Sequence, residues 1–302
     1  MTQTKQKGRL LITGCSGFIG SNLSQSALDS GYEVSGLDIK DCRIKGVEFV
    51  KGDIRDPTAV KRAMRDVDSV IHLAAITSNL EFEKNLMGCY SINVGGFMNV
   101  IDAAKTNDCK KFLYASSAAV YTADSGLSED SVIDIKKQMN HYAKSKLMNE
   151  MVADSYRDVD VYGMDIVGMR FFNVFGNGEN DKGDYASIIS IFLRENKAGR
   201  PLVIYGDGKQ ARDFIYVDDL SRLVLKLLEV GSEPLYNVGT GTATTYEEIA
   251  NVINKGNKKY IKNPLSSYQY LTKADTERLA GAVGKFKFTS VEEGISMIRN
   301  QA

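Results

Sequence analysis

Short apolar runs alternate with amphipathic stretches over roughly the first 120 residues. The apolar runs predict five strands, "LLITG", "YEVSGLD", "VEFVKGD", "DSVIHLAA" and "KFLYASSAAVY". The stretches between them predict helices at Ser21–Asp29, Asp56–Met64 and Tyr90–Lys105. Asp56 is a good helix cap, and Pro57 suits the first helical position. Strands that alternate with helices indicate parallel βαβ units, so the predicted fold is α/β with a doubly wound parallel sheet.

The second half of the chain keeps strand signals but loses this strict alternation. "VDVYGMDIVGMRFFNVF" and "PLYNVGTG" predict strands, while polar segments at 176–185 and 206–213 interrupt the pattern. Such segments usually build a substrate site over a sheet edge. We therefore predict a sheet domain over residues 1–172, to which about 214–240 returns, and a smaller C-terminal substrate-binding domain over 173–302.

The composition argues against nucleic acids, membranes and metal ions as binding partners. The 302 residues carry 38 basic and 38 acidic side chains, so no basic excess points to a nucleic acid. No apolar run approaches the roughly 20 residues of a membrane span. The four cysteines show no CxxC pair, which suits free thiols in a reducing compartment and predicts no metal site. The polar N-terminus has no signal-peptide pattern, so we expect a cytoplasmic protein without a membrane partner.

Three glycines follow the first predicted strand, in "TGCSGFIG". Gly14 allows a tight turn, Gly17 leaves room for a pyrophosphate, and Gly20 lets the next helix pack close to the sheet. A helix N-terminus there offers free N–H groups to phosphates. The spacing is GxxGxxG, a variant of the usual GxGxxG. It predicts a Rossmann-like dinucleotide site, and we expect its contacts to be Gly14, Gly17, Phe18, Ile19 and Gly20.

Asp38 ends the second predicted strand, where dinucleotide-binding folds place an acidic side chain. A carboxylate there hydrogen-bonds the adenosine ribose hydroxyls and repels a 2′-phosphate. This predicts NAD rather than NADP as the cofactor.

Tyr142 and Lys146 lie four residues apart in "HYAKSK", a spacing that places both on one face of a helix. A free tyrosine has a pKa of about 10, and we expect the ammonium to lower it toward neutrality. The pair can then take a proton from a carbinol while hydride leaves for nicotinamide. Ser116 and Ser117 end the fifth strand, and a hydroxyl there can share that proton.

With these motifs together, the chain resembles the extended short-chain dehydrogenase/reductases, in their nucleotide-sugar epimerase/dehydratase family. The likeness rests on "TGCSGFIGSNL", "GDIRD", "HLAA", "INVGGFMNVIDAA", "ASSAAVY", "YAKSK", "RFFNVFG", "GDGKQARDFIYVDDL" and "NVGTGTATTYEEIA". It extends over nearly the whole chain. It implies NAD as cofactor and a nucleotide sugar as substrate.

The resemblance also implies roles for individual residues. Ser117, Tyr142 and Lys146 would be catalytic, with Ser117 also touching the substrate. The further cofactor contacts would be Asp53, Ile54, Ala74, Ala75, Asn93 and Ser116, besides Tyr142 and Lys146. The substrate contacts would be Asn173 and Arg212 at the diphosphate, where a guanidinium suits phosphate geometry, and Lys182 in the loop. We expect His72 to be a core residue.

The residues after Ser117 bear on the reaction. Members of this family that eliminate water or CO2 place an acid there, whereas this chain has Ala118 and Ala119. That favours epimerisation or simple dehydrogenation.

The segment "DYASIISIFL" looks like the UDP-glucose/UDP-galactose 4-epimerase branch. The segments "DKGDYAS" and "YQYLTKAD" also resemble ADP-heptose 6-epimerases, in which Lys182 would be a second base. An NAD-dependent dehydrogenase of a small alcohol such as threonine, and a non-catalytic NAD sensor, are the alternatives from other classes. The resemblance also implies a homodimer through a four-helix bundle.

Overall fold

The computed structural model describes residues 7–122, 127–138, 140–157, 163–179, 183, 186–262 and 270–301. The helices are α1 (Phe18–Asp29), α2 (Pro57–Ala63), α3 (Asn79–Lys84), α4 (Leu86–Tyr90), α5 (Phe97–Thr106), α6 (His141–Asp154), α7 (Ile188–Lys197), α8 (Val217–Val230), α9 (Tyr246–Asn254), α10 (Glu277–Val283) and α11 (Val291–Gln301). A π-helix spans Ser91–Gly96, and a 3-10 turn spans Ala118–Val120.

Thirteen strands are found within the described residues. They are β1 (Arg9–Thr13), β2 (Glu33–Asp38), β3 (Val47–Lys51), β4 (Ser69–His72), β5 (Lys111–Ser117), β6 (Asp165–Phe171), β7 (Asn173–Phe175), β8 (Leu202–Tyr205), β9 (Ala211–Tyr216), β10 (Leu235–Val238), β11 (Ala243–Thr245), β12 (Lys258–Ile261) and β13 (Leu271–Thr272).

The main sheet has seven strands in the order β10-β6-β5-β4-β1-β2-β3. Every pairing in it is parallel. The chain runs outward from β1 in one direction and from β4 in the other, so the order reverses between these two strands. Open α/β sheets bind ligands at the carboxyl ends of the strands near such a reversal. This is the predicted Rossmann-like, doubly wound α/β fold.

Helices cover both faces of this sheet because its strands are apolar on both sides. Leu10 and Ile12 pack into one core with α1 and α8, whereas Leu11 packs into another with α2 and α5. Successive side chains of a strand point to opposite faces, so β1 supplies both cores. The pairing of β10 with β6 brings a late segment, Leu235–Val238, into the main sheet.

A second layer is built from residues after Phe172. Strand β9 pairs with β7, β11 and β13, and β8 pairs with β12. These strands share a third core with α7 and α9, which includes Phe192, Phe214 and Ile249. The division into two domains at about residue 172 stays a prediction, with this packing in its favour.

Two local predictions change in detail, and a third is confirmed. Helix α1 begins at Phe18 instead of Ser21, directly after Gly17. The continuous helix predicted for Tyr90–Lys105 is wrong, because a π-helix interrupts it at Ser91–Gly96. Asp56 does cap α2, its carboxylate accepting the N–H of Thr58. Among the described residues, no helix is long and apolar enough to cross a membrane.

Candidate active site

The glycine-rich loop joins β1 to α1 beside the reversal point. Gly14 has φ +73°, and a Cβ there would lie 2.9 Å from the backbone nitrogen of Ala74. A Cβ on Gly20 would lie 1.9 Å from the carbonyl oxygen of Gly14, so α1 meets the loop at a distance that only glycine allows. The loop is therefore tight by construction.

The start of α1 is suited to an anion. Its N-cap is Gly17, with no capping side chain, and no acidic residue lies in its first turn. A Cβ on Gly17 would meet one atom, the Gly14 carbonyl oxygen at 3.3 Å, and would otherwise point into open space. Phe18 and Ile19 are the first two helical residues. The cradle thus fits a dinucleotide pyrophosphate.

Asp38 lies at the end of β2, against the glycine-rich loop. Its carboxylate accepts the N–H of Ser16 at 3.0 Å and that of Lys40 at 2.9 Å. These two bonds fix the carboxylate at the carboxyl edge of the sheet, where the adenosine ribose of a dinucleotide would lie. The geometry fits NAD.

Asp53 and Ile54 follow β3 along the same edge. Asp53 forms an ion pair with Arg55 at 2.6 Å, and hydrogen bonds from Arg55 lower the pKa of the carboxyl group. Ile54 is buried against Gly96, where an added Cβ would lie 2.4 Å from its Cδ1. Both residues lie where the adenine end of NAD would be expected, and their contact with it stays a prediction.

Ala74 and Ala75 follow β4, next to β1. The N–H of Ala74 bonds Thr13 Oγ1 at 3.3 Å, and Thr13 Oγ1 also lies 2.9 Å from His72 Nδ1. His72 is buried, and burial lowers its pKa to about 3, so it is neutral. It belongs to the core, as expected, and it holds β1 and β4 together at the site.

Asn93 explains the π-helix. Its side chain accepts the N–H of Ile76 at 2.7 Å, donates to the Ile76 carbonyl at 2.9 Å, and donates to Ser145 Oγ at 3.0 Å. The wider π turn places this one side chain between the chain after β4 and helix α6. Asn93 thus links the cofactor edge of the sheet to the helix that carries Tyr142 and Lys146.

Ser117, Tyr142 and Lys146 come together where β5 meets α6. Ser117 ends β5, close enough to Tyr142 for its hydroxyl to oppose the rise in the tyrosine pKa. Lys146 Nζ lies 5.8 Å from the centre of the Tyr142 ring and donates to the Ala115 carbonyl at 2.8 Å. The predicted shared helix face is what allows this arrangement.

Burial dominates the charges of this group. It lowers the pKa of Lys146 to about 8, with the carboxylate of Glu150 opposing it. It raises the pKa of Tyr142, with the Ser117 hydrogen bond opposing it. The pKa of Tyr142 is therefore raised and not lowered toward neutrality, as was expected from the neighbouring ammonium, because desolvation of the phenolate is the largest effect on it.

Glu150 and Arg170 form a buried ion pair that sequence analysis missed. Arg170 donates to Glu150 at 3.0 and 2.7 Å, and Ser116 Oγ donates to the same carboxylate at 2.5 Å. Ser116 is buried, with its hydroxyl directed to Glu150, and its contact with the cofactor stays a prediction. The spacing could have indicated Glu150, because it follows Lys146 by four residues, as Lys146 follows Tyr142, and so lies on the same face of the helix.

The predicted diphosphate contacts lie on the second layer. Asn173 starts β7, two residues after Phe171, whose strand partner is Ser117. Its amide donates to the Asp213 carbonyl at 3.2 Å. Strand pairing places Asn173 opposite Phe214, two residues from Arg212 along β9, and close in sequence to Phe171 at the catalytic end of β5.

Arg212 lies among backbone carbonyls and an aromatic ring. Its guanidinium donates to the Ala211 carbonyl at 2.9 Å and lies 5.8 Å from the Tyr246 ring centre. The neighbouring Asp213 is buried, and its carboxylate accepts the N–H groups of Thr240, Gly241 and Ala274. Asp213 therefore braces the loops around Arg212. Lys182, predicted to face the substrate, lies outside the described residues.

Comparisons with known proteins agree with this geometry. The NAD dependent epimerase/dehydratase family model matches residues 10–239. A Methanocaldococcus jannaschii protein with the provisional name UDP-glucose 4-epimerase is 31% identical, covering 96% of this chain and 97% of that one. The ADP-L-glycero-D-manno-heptose-6-epimerase of Alkalilimnicola ehrlichii is 30% identical over 95% of both chains. The structure of UDP-N-acetylglucosamine 4-epimerase from Methanobrevibacter ruminantium is 26% identical, with TM-score 0.85, covering 99% of this chain and 100% of that one.

Proposed function

The chain belongs to the NAD-dependent epimerase/dehydratase family and is an NAD-dependent nucleotide-sugar epimerase, and from this premise we propose that it interconverts UDP-glucose and UDP-galactose. The observation that carries the proposal is the group of Ser117, Tyr142 and Lys146, followed by Ala118 and Ala119. The group can take and return the hydroxyl proton of a carbinol whose hydride a bound NAD would accept and return, and the alanines supply no acid for elimination.

The chain's own residues would move one proton and hold the substrate. Tyr142 takes the proton of the sugar 4-hydroxyl and later returns it, with the Ser117 hydroxyl sharing the hydrogen bond. When bound, NAD supplies a hydride acceptor that is positively charged in its oxidised form. Together with the Lys146 ammonium, that charge favours the phenolate against the effect of burial.

The substrate must be held firmly at one end and loosely at the other. Asn173 and Arg212 are assigned to the diphosphate, because both lie on the layer beside the catalytic end of β5. A planar guanidinium can hold phosphate oxygens through two parallel hydrogen bonds. The oxidised sugar could then turn over while its diphosphate stays fixed, so that hydride returns to the other face.

The test is to incubate the purified protein with UDP-galactose without added NAD and to measure UDP-glucose. The proposal expects conversion with no net NADH, since the cofactor is restored in each cycle. A failure to convert UDP-galactose, even after addition of NAD, would contradict it.

The second candidate is an ADP-heptose 6-epimerase. It is favoured by the 30% identity to the Alkalilimnicola ehrlichii enzyme over 95% of this chain. The same assay with the ADP-heptose as substrate separates the two. Net NADH formation with a small alcohol such as threonine would instead favour a dehydrogenase.

The proposed assembly is a homodimer through helices α5 and α6. Methionines on and before these helices are exposed, and they are Met87, Met98, Met148 and Met151. Apolar surface of this kind marks contact sites between proteins. We expect sedimentation to show a dimer. The double substitution Met98→Lys with Met151→Lys should dissociate it, whereas Val230→Lys on α8 should leave it intact.

The proposed location is the cytoplasm. Cys15, Cys42, Cys89 and Cys109 are free thiols, which supports a reducing compartment.

A further inference from the structure

Glu150 is held by the two strands that carry the catalytic end of the sheet. Ser116 on β5 and Arg170 on β6 are partners in the parallel register, one position before the Ser117–Phe171 pair. Both side chains donate to the Glu150 carboxylate, which reaches down from α6. This carboxylate is therefore fixed between β5, β6 and α6, the helix that also carries Tyr142 and Lys146.

Stability alone explains this ion pair poorly. Both side chains are largely buried, Arg170 being 5% and Glu150 13% exposed. Taking two charges out of water offsets most of their attraction, and an apolar pair of similar volume is often as stable. The Nη1 atom of Arg170 also has no hydrogen-bond partner among the described residues. An effect on a neighbouring group is the better explanation.

Lys146 is that neighbour, and groups from α6, β4, β5 and β6 surround it. From α6 it faces Tyr142 and Glu150, and from β5 the Ala115 carbonyl. From β4 it faces His72, which is neutral. From β6, Arg170 pairs with the Glu150 carboxylate at 2.7 Å. Among the described groups, Glu150 supplies the negative charge that favours the ammonium.

We propose that Glu150 is a positioning residue of the reaction: clamped by Ser116 and Arg170, it keeps Lys146 charged and docked on the Ala115 carbonyl. The inference rests on the proposed function for its purpose. The protonation of Lys146, on which it depends, can be measured without substrate. Burial lowers the pKa of Lys146 to about 8 even with Glu150 opposing it, so loss of that carboxylate would lower the pKa of Lys146 further.

The experiment follows the Lys146 side chain by NMR in the full chain saturated with NAD. Lysine labelled with 13C at Cε reports protonation, and the signal is assigned by its absence in Lys146→Met. For Glu150→Gln, we expect the titration midpoint of Lys146 to fall by about one pH unit. Epimerase activity should then fall roughly fivefold at pH 8 and less than about twofold at pH 6.5.

Two further variants separate charge from structure. Glu150→Gln leaves the Arg170 charge unpaired and could unfold the chain, so Glu150→Gln with Arg170→Met removes both charges and should show the same direction of shift. Glu150→Asp keeps the charge and should keep the midpoint within about half a unit of the unchanged protein. Asp154→Asn, at the end of the same helix, removes an exposed carboxylate that pairs with Arg157; it is the matched control and should shift nothing.

A midpoint that stays put in both Gln variants overturns the proposal, as does a loss of activity that is equal at all pH values. A shifted midpoint in a chain that epimerises none of the tested sugars would leave the proposal standing and overturn the proposed function instead.

Discussion

The cofactor end and the substrate end of the site are built in different ways. The cofactor end uses residues close together in sequence: Gly14 and Gly17 in the loop after β1, Gly20 in the first turn of α1, and Asp38 at the end of the next strand. The substrate end depends on strand pairings between distant segments, since β9 must meet β7, β11 and β13 to place Arg212. The first is fixed by local stereochemistry, and the second by the completed fold.

The largest effect should come from Gly20→Ala. Its Cβ would lie 1.9 Å from the Gly14 carbonyl oxygen, so the loop must move. We expect a loss of about 3 kcal/mol or more in the free energy of unfolding, together with NAD binding. Urea unfolding and calorimetry with NAD measure both.

Gly281→Ala is the matched control, because it also lies in a helix but a Cβ there meets nothing within 4 Å. It should stabilise the chain by about 0.5–1 kcal/mol. Equal effects of the two substitutions would show that the loop is not the tight element described.

Tyr142→Phe tests the chemistry between the two ends. It removes the hydroxyl that moves the proton and leaves both binding ends in place. We expect turnover to fall at least about a hundredfold, with NAD binding nearly unchanged. Tyr156→Phe, just beyond the same helix, should keep normal turnover. Near-normal turnover of Tyr142→Phe would remove Tyr142 from the mechanism.

These variants follow from features that could be predicted in part. Periodicity predicted β1, β2, β5 and α2, and the glycine spacing predicted the tight loop between β1 and α1, because both depend on neighbours in sequence. The π-helix could not be predicted, because it depends on Asn93 reaching Ile76 and Ser145 across the fold.

The interactions of the charged residues also could not be predicted from the sequence alone. The pairing of Glu150 with Arg170 requires the β5–β6 register, which no local pattern contains. The raised pKa of Tyr142 depends on burial that only the packed structure supplies. Sequence therefore predicted that Ser117, Tyr142 and Lys146 would lie together, but not the direction in which the pKa of Tyr142 is shifted.

Lys146→Met separates function from stability at the cofactor end. The folded pKa of Lys146, about 8, lies below its ordinary value of 10.5, so the folded state pays for a buried charge below pH 8. This penalty is relieved as pH rises from 8 to 10.5. We expect the variant to be inactive yet about 2 kcal/mol more stable at pH 7, after allowance for the lost bond to Ala115.

Urea unfolding at pH 7 and at pH 10 measures that difference, which should shrink at the higher pH. A variant that is less stable than the unchanged protein at pH 7 would show that the buried ammonium is better compensated than we infer.

Arg212→Lys should give the smallest effect and confine it to the substrate end. An ammonium keeps the charge but cannot form two parallel hydrogen bonds to phosphate. We expect KM for the nucleotide sugar to rise roughly tenfold, with NAD binding unchanged. Arg200→Lys, which alters an exposed pair with Glu195, is the control. A change in NAD affinity with KM unchanged would place Arg212 at the wrong end.

The most direct test of the central claim, epimerisation by oxidation and return at one carbon, uses UDP-galactose labelled with deuterium at C4. The account predicts UDP-glucose that retains the deuterium at C4, with no exchange into solvent and no net reduced cofactor. Loss of the label to solvent, or deuterated NADH released in proportion to turnover, would contradict it.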